Sequence, residues 1–317
     1  MLERSAQREY RTWSVDSRRW DGYEPRPNDI IIATPPKCGT TWMQQIVGSL
    51  VFQDATARAI PAVSPWIDAR FRGPAADMLR AITAQTHRRV LKSHLPADGL
   101  PVYTEVRYIA VARDGRDAMM SMHNHFSGFT DAARANFDQI GLADPTIARP
   151  YPDVPADPAA YFRLWISIPA IAGQSDGYNQ PSFFDTVASY WAERRRENFL
   201  LVHYNDLRAD LDGEMRRIAA FLGIAVDPAV WASLVHAAEF AQMQAAGKTL
   251  MPHTEAMFPE GARRFFNKGT NGRWRDVLTA DDLAQYDAKL RSSCGPGLAA
   301  WLESGRRSRG EPRDAAD

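Results

Sequence analysis

Short apolar runs, each closed by charged or turn residues and followed by apolar positions at helical spacing, set the rhythm of this chain. Ile30 to Ala33 reads as a buried strand, and beyond a short loop Trp42, Met43, Ile46, Val47 and Leu50 recur as one face of a helix. Val90 to Ser93 and Val106 to Ala112 are two further strands; the second runs into RDGRDAMMSMHNHF, an Asp-Gly turn ahead of a helix. Phe199 to His203 is a fourth strand, with a YNDL turn and the helical stretch DGEMRRIAAFLG behind it. Strands alternating with helices predict an α/β fold, a central parallel sheet flanked by helices in three layers. The strand–loop–helix unit at its start makes it P-loop-like.

Two segments break the rhythm. Residues 128 to 182 are dense in Gly, Pro and Asp with aromatics scattered among them (YPDVPADPAAYF, GYNQPSFF), which predicts a lid or wall of a binding site. The last stretch, SGRRSRGEPRDAAD, predicts a disordered tail over 304–317, leaving 1–303 as one domain.

Composition narrows the partners. The 38 basic and 38 acidic residues of the 317 cancel, so no global field points to nucleic acid and any anion site is local. Two cysteines, Cys38 and Cys294, exclude a disulfide framework and zinc spacing. The charged start MLERSAQREYR has no signal-peptide core, and no apolar run approaches the roughly 20 residues of a membrane span. The expectation is a cytoplasmic protein with no membrane partner.

Four stretches carry chemistry. In PPKCGTTW a strand turns sharply into a helix, so backbone N–H groups converge where the helix dipole is positive. Gly39 permits close approach, Thr40 and Thr41 add hydroxyls, and Lys37 adds a mobile charge. The Gly-Lys-Ser/Thr ending of P-loop NTPases is missing, and the second strand ends in Lys92, Ser93 and His94 rather than in an acid that would hold magnesium. An anion that needs no metal fits better than ATP. In LKSHLP, alternation puts Lys92 and His94 on one face with Ser93 opposite, at the carboxyl end of a strand where parallel sheets bind ligands. A neutral His94 there accepts a proton, and Lys92 stabilises charge on a departing group. In YIAVARDGRDAMMSM, Arg113 and Ser121 converge on a second phosphate across a strand–turn–helix, while Arg116 and Asp117 read as surface charge or a local ion pair. In RRFFNKGTNGRW, the Lys-Gly and Asn-Gly pairs read as an anion-gripping loop. Each stretch alone also suits a bland role, such as a capped helix start or a basic turn.

Together and in this order, from about Asp29 to Thr279, they resemble the cytosolic sulfotransferase family. The resemblance implies transfer of the sulfuryl group of 3′-phosphoadenosine 5′-phosphosulfate to a hydroxyl acceptor, without metal, releasing 3′-phosphoadenosine 5′-phosphate. It implies that Lys37, Cys38, Gly39, Thr40 and Thr41 form the 5′-phosphosulfate loop and that Arg113 and Ser121 hold the 3′-phosphate. Trp42, Tyr204, Phe240 and Met243 would flank the adenine, and Asn267, Lys268 and Gly269 would close over the 3′-phosphate. His94 would be the catalytic base, with Lys37 and Lys92 neutralising developing charge. The acceptor would be a small, apolar or aromatic phenol or alcohol, walled by 128–182 and by REYRTWSVDSRRWDGY near the N-terminus. A metal-dependent kinase on a similar scaffold and a catalytically silent nucleotide-binding protein remain the alternatives.

Several positions depart from the family pattern. Cys38 replaces a serine, and a thiol beside Lys37 at a helix N-terminus predicts a lowered pKa and redox sensitivity. Asn267 replaces an arginine, for which Arg263 or Arg264 could substitute, and Ala238 replaces a threonine near the adenine. Ala280 and Ala284 stand where the family's dimerisation pattern has valine and glutamate, so the oligomeric state is left open.

Overall fold

The computed structural model describes residues 1–317. Six strands form: β1 (Leu2–Arg4), β2 (Ile30–Ala33), β3 (Val90–Ser93), β4 (Val102–Tyr103), β5 (Arg107–Ala112) and β6 (Phe199–His203). β1 and β4 make a small antiparallel ribbon, and the other four make a parallel sheet in the order β3-β2-β5-β6. Its register pairs Ile30 with Val90 and with Arg107, and Tyr108 with Phe199.

The strands are largely apolar because both faces of the sheet are covered. Ile31, Ala33, Leu91, Tyr108, Ala110 and Leu201 enter the core on one face, and Ile30, Ile32, Val90, Ile109, Val111 and Val202 enter the core on the other. The helix Thr40–Phe52 puts Trp42, Met43, Ile46, Val47 and Leu50 on the second face, joined there by Met215 and Ile218 of the helix Leu211–Leu222. The helix Gly115–Phe126 places Ala118, Met119 and Met122 on the first. This is the three-layer α/β arrangement with a central parallel sheet. The YNDL segment differs from a simple turn: it opens a helix, Tyr204–Ala209, whose first turn is capped by the His203 ring accepting from the Asn205 N–H at 3.1 Å.

Because β2 lies between β3 and β5, the chain leaves β2 to build one side of the sheet and then returns to build the other. Such a reversal opens a crevice at the carboxyl end of the middle strand. The loop from Thr34 to Gly39 leaves β2 at that crevice, and His94 and Arg113 follow the ends of β3 and β5.

The disordered tail expected over 304–317 is corrected by its contacts. Asp206, buried at the start of its helix, accepts from the backbone N–H groups of Arg306 (2.7 Å) and Arg307 (3.1 Å). Arg306 pairs with the buried carboxylate of Glu214, and the Asp317 carboxylate accepts from Gly297 N at 2.8 Å. The sequence reading saw only charge in this segment. The buried acids Asp206 and Glu214 require partners, and the tail supplies them. The 128–182 stretch also holds helices, Asp131–Ala143 and Pro158–Ser167, between irregular segments. No helix is long and apolar enough to cross a membrane.

Candidate active site

One pocket opens at the crevice, and fifteen of the sixteen residues singled out in the sequence line it; Cys38 is the exception. Lys37, Arg72, Lys92, Arg113, Lys268 and Arg273 bring six positive side chains to its walls, and no carboxylate lines it. In a chain of zero net charge this is a local concentration of positive charge, the form that any anion site here was expected to take.

The loop after β2 is shaped by two left-handed residues, Lys37 (φ 66°) and Gly39 (φ 107°). A side chain at Gly39 would also press on the Tyr204 ring, 3.0 Å from the position of its first carbon. Gly39, Thr40 and Thr41 line the pocket at the start of the helix Thr40–Phe52, whose first N–H groups have no side-chain cap. The Lys37 ammonium lies 3.4 Å from His125 Nδ1 and 4.8 Å above the Phe265 ring. Burial, and then the charge of Arg113, lower its pKa to about 8.

The Cys38 side chain points the other way. It is fully buried in the core, its Sγ 3.8 Å from the Pro36 carbonyl. Burial pushes the thiol up to about 12, outweighing the opposing pull of Arg113 and Lys37. The expectation of a lowered pKa and a redox-sensitive thiol is therefore corrected: the neighbouring charges are present, but desolvation is larger.

His94 and Lys92 share the pocket wall while Ser93 is buried in the sheet, as the alternation requires. His94 Nδ1 is 2.7 Å from the Thr34 carbonyl oxygen. A carbonyl only accepts, so Nδ1 carries the proton and Nε2 presents its lone pair. Burial first, then the charge of Lys92, hold the ring's pKa well below the ordinary value, so it is neutral at pH 7. The ring is held further by an edge contact with Trp66 at 4.7 Å, and the His94 backbone N–H donates to Asp68 at 3.1 Å. Asp68, which the sequence reading missed, is fully buried and also accepts from the indole N–H groups of Trp20 (3.2 Å) and Trp66 (2.7 Å). It ties β3's end to the N-terminal segment. Lys92 lies 4.1 Å over Trp66, with its pKa lowered to about 7 by burial and by Arg72.

At the other end of the pocket, Arg113 is clamped from behind. Its guanidinium donates to Asn271 Oδ1 (3.1 and 2.5 Å) and to the Thr270 carbonyl (2.9 Å), and stacks 4.1 Å over Tyr204. Trp42 meets Tyr204 edge-on at 5.3 Å and donates its indole N–H to the Ala238 carbonyl at 2.7 Å. Ser121, Phe240, Met243, Asn267, Lys268 and Gly269 also line the pocket. Arg116 forms a local ion pair, with Asp114 at 2.6 Å rather than with Asp117. Asp117 does not sit at the surface: it is buried and accepts from Gly272 N at 2.7 Å, anchoring the 267–273 loop.

Neither arginine offered as a substitute for position 267 reaches the pocket. Arg263 is exposed and pairs with Glu260, while Arg264 donates to the Asn124 carbonyl at 2.9 Å. Arg273 does line the pocket. It directly follows the Asn-Gly pair of the RRFFNKGTNGRW stretch, but the sequence alone gives it no role.

The remaining wall is aromatic. Phe71, Phe126, Phe129, Phe137 and Tyr151 surround a space that also meets His125, Ser14 and Gln180. Phe129, Phe137, Tyr151 and Gln180 come from the 128–182 stretch and Ser14 from the N-terminal one. Ser14 donates to Gln180 at 3.1 Å, joining the two segments.

Residues 27–295 match the sulfotransferase domain family. A glycolipid sulfotransferase of Mycobacterium tuberculosis is 33% identical over 309 residues, covering 94% of each chain. Mouse sulfotransferase 1B1 is 25% identical over 285 residues, covering 87% of this chain and 86% of that one. Among solved structures, mouse sulfotransferase SULT7A1 complexed with PAP superposes with a TM-score of 0.66 at 19% identity, covering 93% of both chains. Retinol dehydratase in complex with androsterone and PAP gives 0.64 at 19% identity, over 88% and 86% of the two chains. The chain belongs to the sulfotransferase family, and the parallel sheet with its crevice loop is that family's fold.

Proposed function

We propose that this sulfotransferase moves the sulfuryl group of 3′-phosphoadenosine 5′-phosphosulfate to the hydroxyl of an apolar or aromatic acceptor, with His94 as the base. The observation that carries the reading is the position of His94. Its unpartnered Nε2 belongs to a neutral ring in a pocket lined by both cationic groups and aromatic rings.

The donor set suits this nucleotide. Backbone N–H groups of residues 39–41 and Lys37 receive the phosphosulfate, and Arg113, Ser121 and the Lys268–Gly269 turn receive the 3′-phosphate. Trp42, Tyr204, Phe240 and Met243 enclose the base. A metal-dependent kinase is disfavoured by the same wall, since no carboxylate lines it to hold a divalent ion.

In the reaction the acceptor oxygen forms a bond to sulfur as the bond from sulfur to the bridging oxygen breaks. The acceptor proton passes to His94 Nε2, and the electron pair leaves on the 5′-phosphate. Lys37 and Lys92 oppose the charge that grows on the bridging and equatorial oxygens. An anionic nucleotide restores the protonated state that burial weakens in both lysines.

The aromatic wall favours a ring or chain that buries apolar surface and presents a hydroxyl to His94. The glycolipid sulfotransferase of M. tuberculosis supports a lipid-linked alcohol as one such acceptor. The test is transfer of radiolabelled sulfuryl to a panel of simple phenols, long-chain alcohols, glycolipids and free sugars. Label on apolar hydroxyl compounds and not on free sugars is expected. Label on free sugars alone would overturn the acceptor class, and no label on any of them would overturn the reaction.

A further inference from the structure

We propose that Arg273 makes the guanidinium contact to the nucleotide's 3′-phosphate in this chain, in place of position 267, where a neutral asparagine stands. The proposal rests on the nucleotide assignment above and adds to it a residue that the resemblance does not supply.

Arg273 is a cation with no ion-pair partner in contact with it. It lines the pocket, partly buried, and its guanidinium makes no hydrogen bond or ion pair with the protein; Nε is shielded from solvent and has no partner. Leaving a charged donor in that condition is costly unless a ligand completes it. Its close neighbour is Arg113: burial first, then the charge of Arg113, depress its pKa. Two guanidiniums held near each other, in a pocket whose wall contains no carboxylate, form a receptor for a doubly charged anion. Asp117, the one acid that offsets this charge, is already engaged by the Gly272 N–H at 2.7 Å.

The loop is built to present both arginines. Gly269 (φ 63°) and Gly272 (φ 81°) are left-handed, which turns the segment twice between Lys268 and Arg273. Between these turns Thr270 and Asn271 grip Arg113 from behind. Asn267 meanwhile offers its backbone carbonyl to Gln244 at 3.0 Å and has no charge to contribute. Arg263 and Arg264 are occupied elsewhere. The positive charge has moved along the loop, from its first residue to its last.

The experiment is calorimetric titration of the full chain with adenosine 3′,5′-bisphosphate and with adenosine 5′-monophosphate, which lacks only the 3′-phosphate. Wild type should prefer the bisphosphate. Arg273→Gln should weaken bisphosphate binding about 10- to 100-fold, the usual size of a charge-assisted contact, and leave monophosphate binding unchanged. Asn267→Arg added to Arg273→Gln should restore most of the loss. Equal weakening for both nucleotides would reduce Arg273 to a structural role and overturn the proposal, as would an undiminished preference in Arg273→Gln. A wild type with no preference for the bisphosphate would instead overturn the nucleotide assignment itself, and the proposal with it.

Discussion

Replacing His94 with glutamine removes the lone pair at Nε2 while keeping a polar side chain able to donate to the Thr34 carbonyl. In wild type the ring's pKa lies well below its ordinary value, so nearly every molecule holds a neutral base at pH 7 and the substitution removes its whole contribution. General-base assistance of this kind accounts for about 10²–10⁴ in rate, or about 2.7–5.4 kcal/mol at roughly 1.36 kcal/mol per decade. The structural cost is smaller: one hydrogen bond near 2.7 Å, about 1 kcal/mol if the amide fails to replace it. The assay is single-turnover transfer at saturating nucleotide and acceptor, with bisphosphate affinity measured in parallel. The expected result is a rate reduced at least a hundredfold with affinity changed less than about threefold. A rate within threefold of wild type, or an affinity that falls in step with the rate, would refute the argument from Nε2.

The two lysines predict a pH dependence. Lys92 titrates near 7 and Lys37 near 8 in the free protein, so kcat/KM for the nucleotide should decline as pH rises through that range and they lose their protons. The bound anion favours their protonated forms and should carry the alkaline limb of kcat upward; a kcat/KM flat from pH 7 to 9 would contradict both shifts. Cys38, buried and pushed up to about 12, should resist alkylation at pH 8, and peroxide should inactivate wild type and Cys38→Ser alike, as followed by intact mass and residual activity. Arg89 and Asp29 form an ion pair with each side chain 2% exposed, and Tyr23 also donates to Asp29 at 2.6 Å. Arg89→Met strands that carboxylate and should cost about 3–5 kcal/mol, read as a lower urea midpoint at unchanged slope.

The sheet was legible because its strands are buried on both faces, which leaves short, largely apolar runs closed by charged or turn residues, too short for the usual helix. The pocket was legible because its parts follow strand ends, where local order in sequence becomes convergence in space: Lys37, His94 and Arg113 lie far apart in the chain and meet at one crevice. Side-chain direction inside an irregular loop has no such signature. Cys38 was placed by its neighbours' charge, yet the turn at Lys37 sends it into the core. Arg273 was passed over for a related reason: two left-handed glycines decide where it points, and a basic residue in a turn reads as solvated until that path is known. The tail misled because its partners, Asp206 and Glu214, look like ordinary helix-surface acids in sequence and are buried in the fold. The pocket wall proposed for the acceptor draws on segments as distant as Ser14 and Gln180, and only packing brings them together.

The most direct measurement is transfer of radiolabelled sulfuryl from 3′-phosphoadenosine 5′-phosphosulfate to an apolar hydroxyl acceptor in excess EDTA. If protein cations and a neutral imidazole alone align and activate the reactants, the rate will match that in untreated buffer. Loss of transfer on chelation, recovered by adding a divalent ion, would contradict that picture of the pocket.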